Sequence, residues 1–309
     1  MQNTEKLHPK ALGIDEKSGL EILTILYEGQ LEAAKCVIEA KASLEVGARA
    51  MADAIEAGNK LVYVAAGSSG LQGMADGLEL TPTFGIPISQ IKILRAGGLE
   101  DMSKPKGNME DNVSAALTDA QIISSGDCVI CLAASGNTTY PEVIMKKAKE
   151  LGATTIGIAN NPDTKLLTGS DIPILLSTPP EVVAGSTRLG AGTAQKIALN
   201  MMSTCMGIYL GHVMDGQMVN LIANNNKLFE RSEKIVMNLT GCTEMEARNS
   251  LEKTEGNVKL AVLLISGAET VSIAKKINFP PRNHYFGVFH IDYHPVSYTH
   301  LTLPTNREV

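Results

Sequence analysis

The 309-residue sequence has no excess of basic residues: 27 lysines and arginines stand against 33 aspartates and glutamates, a net charge of −6. That balance gives no electrostatic footprint for nucleic acid. There is no run of 18 apolar residues, which excludes a membrane-spanning helix, and the opening MQNTEKLHPK lacks the apolar core of a signal peptide. A cytoplasmic protein with no membrane partner is expected. A disulfide framework is not expected, because Cys36, Cys128, Cys131, Cys205 and Cys242 are scattered and odd in number. Cys128 and Cys131 form a C-x-x-C, but they sit in the apolar run DCVICLAAS, where positions three apart on a strand face opposite ways. They read as packed thiols and not as redox or metal ligands. With 44% apolar and 19% charged residues the balance is that of an ordinary globular protein, and the length allows about two domains.

Along the chain, Asp15 is placed to cap a helix through GLEILTILYEGQLEAAKCVIEA, and Ser43 a second through LEVGARAMADAIEAG that Gly58 ends. Short apolar runs then recur at 61–66 (LVYVAA), 91–95 (IKILR), 128–134 (CVICLAA), 154–159 (TTIGIA) and 172–177 (IPILLS), with room for helices between them. Continuous apolar strands alternating with helices predict an α/β fold, a parallel, doubly wound sheet covered by helices on both faces. In such a sheet ligands sit beyond the strand C-terminal ends. A long helical stretch through IALNMMSTCMGIYLG, another through NNNKLFERSEKIVMNLTG and a small helical unit over 243–277 follow, the last with Thr243 as cap and Glu246 three positions later.

After the first strand comes VAAGSSGLQG. The strand, turn and helix order suits an anion cradle of backbone amides, although glycines also serve plain tight connections. No Lys followed by Ser or Thr closes the turn, so it is not a nucleoside triphosphate loop. The third strand leads into a similar turn, ASGNTTYP. Two hydroxyl-rich turns on neighbouring strand ends can surround one ligand, and with no lysine or arginine inside either, a monoester phosphate or sugar fits better than a triphosphate. The segment EVVAGSTRLGAGTAQK, with Arg188, permits close backbone approach to a ligand or to another subunit, or simply opens a core helix.

Together, GSSG, LELTPTFG, MEDN, AASGNT, GSTRLGAGTAQK, LNMMST, TGCTEMEA and GNVKLA resemble the N-acetylmuramic acid 6-phosphate etherases, a family of the sugar isomerase (SIS) fold group, over roughly residues 4–277. The resemblance implies a phosphorylated amino sugar as substrate, a homodimer with sites near the subunit interface, and a small ubiquitin-associated-like module. The domain plan expected is a helical segment over 1–58, the sugar phosphate domain over 59–240, the small module over 241–278 and a tail over 279–309. The resemblance also implies substrate contacts from Ser68, Ser69, Gly70, Ser135, Gly136, Asn137, Thr138, Ser186 and Arg188, and acid and base roles for Glu79 and Glu110. Two carboxylates suit an elimination: one takes the proton beside an open-chain aldehyde, the other protonates the departing lactyl ether oxygen, and water then adds back. Neither step needs a metal or a nicotinamide, so no cofactor is expected. The sequence departs from the family pattern at Leu71, Gln72, Leu80, Thr81, Gly190 and His8. An isomerase of the same fold, or a non-catalytic sugar phosphate sensor resembling glucokinase regulatory protein, are the alternatives; release of lactate separates them.

From Phe279 onward the chain holds four of its six histidines and six of its twelve aromatic residues, without helical period. His290 and His294 are four apart, but Pro295 denies them the helix a metal pair would need. The tail is expected to be an appended, non-native extension. A chain ending at Asn278 should therefore match the full chain in solubility, elution volume and thermal midpoint, and loss of any of the three would make the tail part of the structure.

Overall fold

A computed structural model describes residues 2–98, 108–221 and 226–276. The chain divides into two compact units, Met1–Tyr209 and Leu210–Val309. In the first, helices α1 (Gly19–Cys36) and α2 (Lys41–Glu56) precede an alternating series: β1 (Leu61–Ala65), α3 (Gly67–Phe84), β2 (Ile91–Arg95), α4 (Val113–Asp119), β3 (Cys128–Ala133), α5 (Thr139–Glu150), β4 (Thr154–Ala159), α6 (Lys165–Gly169), β5 (Ile172–Leu175) and α7 (Gly190–Tyr209). All five strands are parallel, in the order β2-β1-β3-β4-β5. This is the expected α/β architecture.

Every residue of β1 and β3 is buried, which is why both read as unbroken apolar runs. Val62, Val64, Val129 and Cys131 face α4 and α5, where they pack with Ala116, Tyr140 and Ile144. Tyr63 points to the opposite face, beneath α3. That helix lies close because it presents glycines: a Cβ at Gly77 would stand 3.2 Å from the Tyr63 ring and one at Gly73 3.7 Å from it. The outer helix α7 packs on α1, α2 and α3.

Two expected helix starts are corrected. Ser18, not Asp15, caps α1, because Glu21 at the third helical position completes a reciprocal capping box with it, whereas Asp15 lies in a preceding 3-10 turn. Ser43 caps nothing. A 3-10 turn over Val37–Ala40 carries the chain into α2 with Lys41 already helical, so no residue adopts the extended conformation that a side-chain cap needs.

The second unit contains a hairpin of β6 (Val213–Met214) and β7 (Gln217–Met218), followed by α8 (Asn226–Thr240), α9 (Glu244–Lys253), α10 (Val258–Ile265) and α11 (Val271–Lys276). Asp215 and Gly216 both take positive φ in the hairpin turn, as a two-residue turn of this hand demands. The Thr243–Glu246 capping box forms as expected. The core joins Ile235, Val236 and Leu239 of α8 to Ala247 and Leu251 of α9 and Val258, Ala261 and Val262 of α10. Phe279, the histidines His284, His290, His294 and His300, and the rest of 277–309 lie outside the described residues.

Cys128 and Cys131 are buried free thiols. Burial pushes Cys128 up to about 12, with Asp127 adding to it, and pushes Cys131 further above the usual thiol range. The reactive thiolate is therefore scarce at both. With iodoacetamide at pH 8, mass spectrometry should find labelling of the native protein confined to the partly exposed Cys36, Cys205 and Cys242. Modification of Cys128 or Cys131 should require unfolding, and rapid native labelling of either would contradict their placement.

Candidate active site

The C-terminal ends of β1 and β3 flank the point where strand order reverses, the usual ligand position in an open parallel sheet. Both hydroxyl-rich turns stand there. In the first, Ala66 is extended and has no side-chain bond to cap α3, and Gly67 at φ +51° turns the chain straight into the helix. The first-turn amides of α3 thus point past the strand ends, where an anion is favoured. Ser69 and Gly70 are buried in this turn, and Ser68 is half-buried.

The second turn is held from several sides. Ser135 Oγ lies 3.3 Å from Thr138 Oγ1 and accepts from the Asn137 amide at 3.2 Å. The Asn137 side-chain oxygen accepts from Lys165 N at 3.1 Å, and Gly136 O accepts from Leu166 N at 3.0 Å. Gly136 has φ +71°, and a Cβ there would run into the side chain of buried Thr164.

Ser186 and Arg188 occupy the loop before α7, Ser186 half-buried and Arg188 exposed. Buried Glu181 fixes the loop's far end by accepting from Gly190 N and Ala191 N, both at 2.8 Å, so a carboxylate side chain caps α7. Burial pushes the Glu181 carboxyl up against the pull of those two amides. The N-terminal residues close the other end. Gln2 donates to Ser135 O at 3.1 Å, Gly185 N donates to Thr4 O at 2.9 Å, and Asn161 at the end of β4 donates to Thr4 Oγ1 at 3.1 Å and to Ala134 O at 2.9 Å. Gln2 and Asn161 were not singled out from the sequence, and Glu181 entered only as the first residue of EVVAGSTRLGAGTAQK; the signal available for Asn161 was only that it follows a parallel strand, where ligand loops arise.

The two glutamates are placed differently. Glu110 is exposed in a 3-10 turn over Met109–Asp111, and Thr139 at the start of α5 donates to Asp111 at 3.2 Å. This sets Glu110 beside the second turn. Glu79 is exposed near the other end of α3, eleven residues beyond Ser68, about 16 Å along the axis at 1.5 Å per residue. One chain does not bring it to its own first turn. Among the described residues no group of three or more His, Cys, Asp and Glu could hold a metal ion, and none of their helices is long and apolar enough to cross a membrane.

A family model, the SIS domain, matches residues 99–205. The chain is 38% identical over 266 residues to the N-acetylmuramic acid 6-phosphate etherase of Deinococcus radiodurans, covering 85% of this chain and 87% of that one. To the protein of the same name from Histophilus somni it is 36% identical over 264 residues, covering the same two shares. The chain belongs to the N-acetylmuramic acid 6-phosphate etherase family. A phosphoheptose isomerase structure from Francisella tularensis aligns with this etherase relative at a TM-score of 0.46 and 16% identity, covering 62% of this chain and 98% of that one.

The second turn offers a direct test of its packing. Gly136→Ala adds both a strained φ and a clash with Thr164, and should cost about 2–4 kcal/mol, lowering the midpoint by roughly 5–12 °C. Gly58, at φ +79° with open space around it, carries the backbone strain alone, and Gly58→Ala should cost only about 1 kcal/mol. Equal shifts in a melting experiment would show that Thr164 does not constrain the turn.

Proposed function

We propose that this protein cleaves the D-lactyl ether of N-acetylmuramic acid 6-phosphate, giving N-acetylglucosamine 6-phosphate and D-lactate, in the cytoplasm and in the recycling of cell-wall amino sugars. The observation that carries the reading is the family relationship across 85% of the chain, and the paired turns at the ends of β1 and β3 support it with a seat for the phosphate. The phosphate is held by the first-turn amides of α3 with Ser68, Ser69 and Gly70, and by Ser135, Gly136, Asn137 and Thr138 from the second turn. Ser186 and Arg188 reach the sugar from the loop before α7.

With the sugar open, the aldehyde acidifies the proton on the adjacent carbon. Glu110 removes that proton, the bond from the next carbon to the lactyl oxygen breaks, and Glu79 gives the departing oxygen its proton. The unsaturated aldehyde then takes water at the carbon that bore the ether, with Glu110 returning a proton to its neighbour and Glu79 accepting one from the water. Atoms balance as one water consumed and one lactate released.

The distance of Glu79 from its own first turn supports a homodimer in which Glu79 serves the substrate held by the other copy. Exposed apolar side chains support such a partner: on α1, Leu20, Leu23, Tyr27 and Leu31 recur at helical spacing and are 80%, 63%, 65% and 40% exposed. Leu71 and Leu78 of α3, on the helix that carries Glu79, are also exposed. Contiguous apolar faces of this kind mark association surfaces.

In water enriched in heavy oxygen, the label should enter the sugar at the former ether carbon; label in the lactate would mean displacement instead of elimination. Ser69→Ala or Ser135→Ala should raise the Michaelis constant, since each lost charge-assisted hydrogen bond is worth about 1.5–3 kcal/mol. Glu79→Gln and Glu110→Gln should each reduce turnover by about 10²- to 10⁴-fold. Co-expressing the two Gln variants should restore about a quarter of the wild-type rate, because half the dimers are mixed and each mixed dimer rebuilds one of two sites. No recovery from the mixture would place both carboxylates in the same chain's site or exclude the dimer.

A further inference from the structure

Thr4 is 1% exposed and joins parts of the chain that lie far apart in sequence. Its hydroxyl accepts from Asn161 Nδ2 at 3.1 Å, its amide donates to Asn161 Oδ1 at 3.4 Å, and its carbonyl accepts from Gly185 N at 2.9 Å. Asn161, equally buried, also donates to Ala134 O at 2.9 Å, the carbonyl just before Ser135. Two residues ahead of Thr4, Gln2 reaches Ser135 O itself at 3.1 Å. Gly185, at φ +76°, precedes Ser186, and a Cβ there would stand 3.3 Å from Glu5 Oε2, so the N-terminal segment lies directly on this loop. Residues 2–5 thus run from the second turn to the loop before α7. The second turn follows β3 and that loop follows β5, two strands further along the sheet. The gap between them is set by contacts and not by chain connection.

We propose that Thr4 and Asn161 are positioning residues for the sugar site: their buried pair holds the loop that carries Ser186 and Arg188 at a set distance from the second turn. The inference rests on the phosphosugar reading given above, in which the phosphate lies at the turns and the sugar reaches that loop. A ligand that had to order the loop on arrival would lose affinity to that ordering. A pair whose polar groups are satisfied out of water holds the loop beforehand. Asparagine suits position 161 because one side chain there donates twice and accepts once, to partners on two segments; an aspartate carboxylate only accepts. Both side chains are closed off from solvent, so they act through the loop and not on the ligand.

The test uses the full-length protein and two probes. N-acetylglucosamine 6-phosphate, followed by calorimetry, spans turn and loop, whereas inorganic phosphate, followed by its competition with the phosphosugar, fills the turns alone. Thr4→Val keeps the shape and removes the acceptor; it should weaken phosphosugar binding roughly 5- to 50-fold. Thr4→Ser, which restores the hydroxyl, should bind nearly as the wild type does, and Asn161→Ala should lose at least as much as Thr4→Val. Inorganic phosphate should bind Thr4→Val within about twofold of the wild type, with melting curves showing each variant folded at the assay temperature. Equal losses for the two probes would make the pair a support of the fold alone and overturn the positioning role, as would unchanged phosphosugar affinity in both Thr4→Val and Asn161→Ala. The two levels of inference part on the wild-type protein: failure to bind the phosphosugar there removes the phosphosugar reading and the positioning role with it, whereas wild-type binding that survives both substitutions removes only the role of the pair.

Discussion

The carboxyl of Asp76 is the joint on which the first unit turns. Buried in α3, it accepts from Tyr63 Oη of β1 at 2.8 Å, from Asn200 Nδ2 of α7 at 2.7 Å and from Ser203 Oγ of α7 at 2.9 Å. Three layers of the unit, the sheet, α3 and α7, thus meet at one side chain. Burial and the adjacent carboxyl hold the Tyr63 phenol well above its ordinary range, so it remains a donor. A buried acceptor that loses its donors costs about 1–3 kcal/mol, which makes this contact a specifier of helix position and not merely one more bond. The glycines of α3 act with it: Gly73 and Gly77 bring the helix down onto Tyr63 while Asp76 fixes its rotation. Where α3 lies decides where its first turn opens, and therefore where the proposed phosphate seat stands.

Around that opening the described residues are fastened largely through backbone amides and carbonyls. The second turn is fastened by Gln2, by the amides of Lys165 and Leu166 and by Thr164 beneath Gly136. The third loop is fastened by Thr4 at one end and by Glu181 at the other. Apart from the Glu181 carboxyl, these fastenings carry no charge, and the free amides at the helix N-termini favour an anion there. Neither turn contains a carboxylate, even though the chain as a whole is net negative.

Much of this was legible in the sequence because it is local. The five apolar runs became five strands, and the turns after β1 and β3 were visible as strand, glycine and hydroxyl residues, then helix. The burial of the C-x-x-C followed from the unbroken apolar run around it, and the opposite facing of its two thiols from strand alternation. What failed or stayed hidden depends on competition or on distance along the chain. Asp15 and Ser18 are both good caps, and only the partnership of Ser18 with Glu21 decides between them. The close approach of the Arg95 stem to Gly70, 25 positions away, has no local signal. The resemblance assigned Glu79 and Ser68 to one kind of site, yet the rise of the helix they share separates them.

The departures from the family pattern near Glu79 make sense as parts of that helix's end. Leu80 is buried in the core, and the Thr81 hydroxyl donates to Ile86 O at 2.8 Å. Gly85, left-handed at φ +65°, donates to Thr81 O at 2.9 Å, the single bond by which a left-handed glycine stops a helix, and Ile86 N reaches back to Leu80 O at 3.4 Å. The residues at 80 and 81 therefore fix the last turn of α3, with Glu79 carried on it. The departure at Gly190 is steric: a Cβ there would stand 3.0 Å from Glu181 Oε2 and 3.1 Å from Ala33 Cβ, crowding the carboxyl that caps α7. In both places the altered residue serves the element that presents a proposed site residue, so the pattern can change while the frame around it does not.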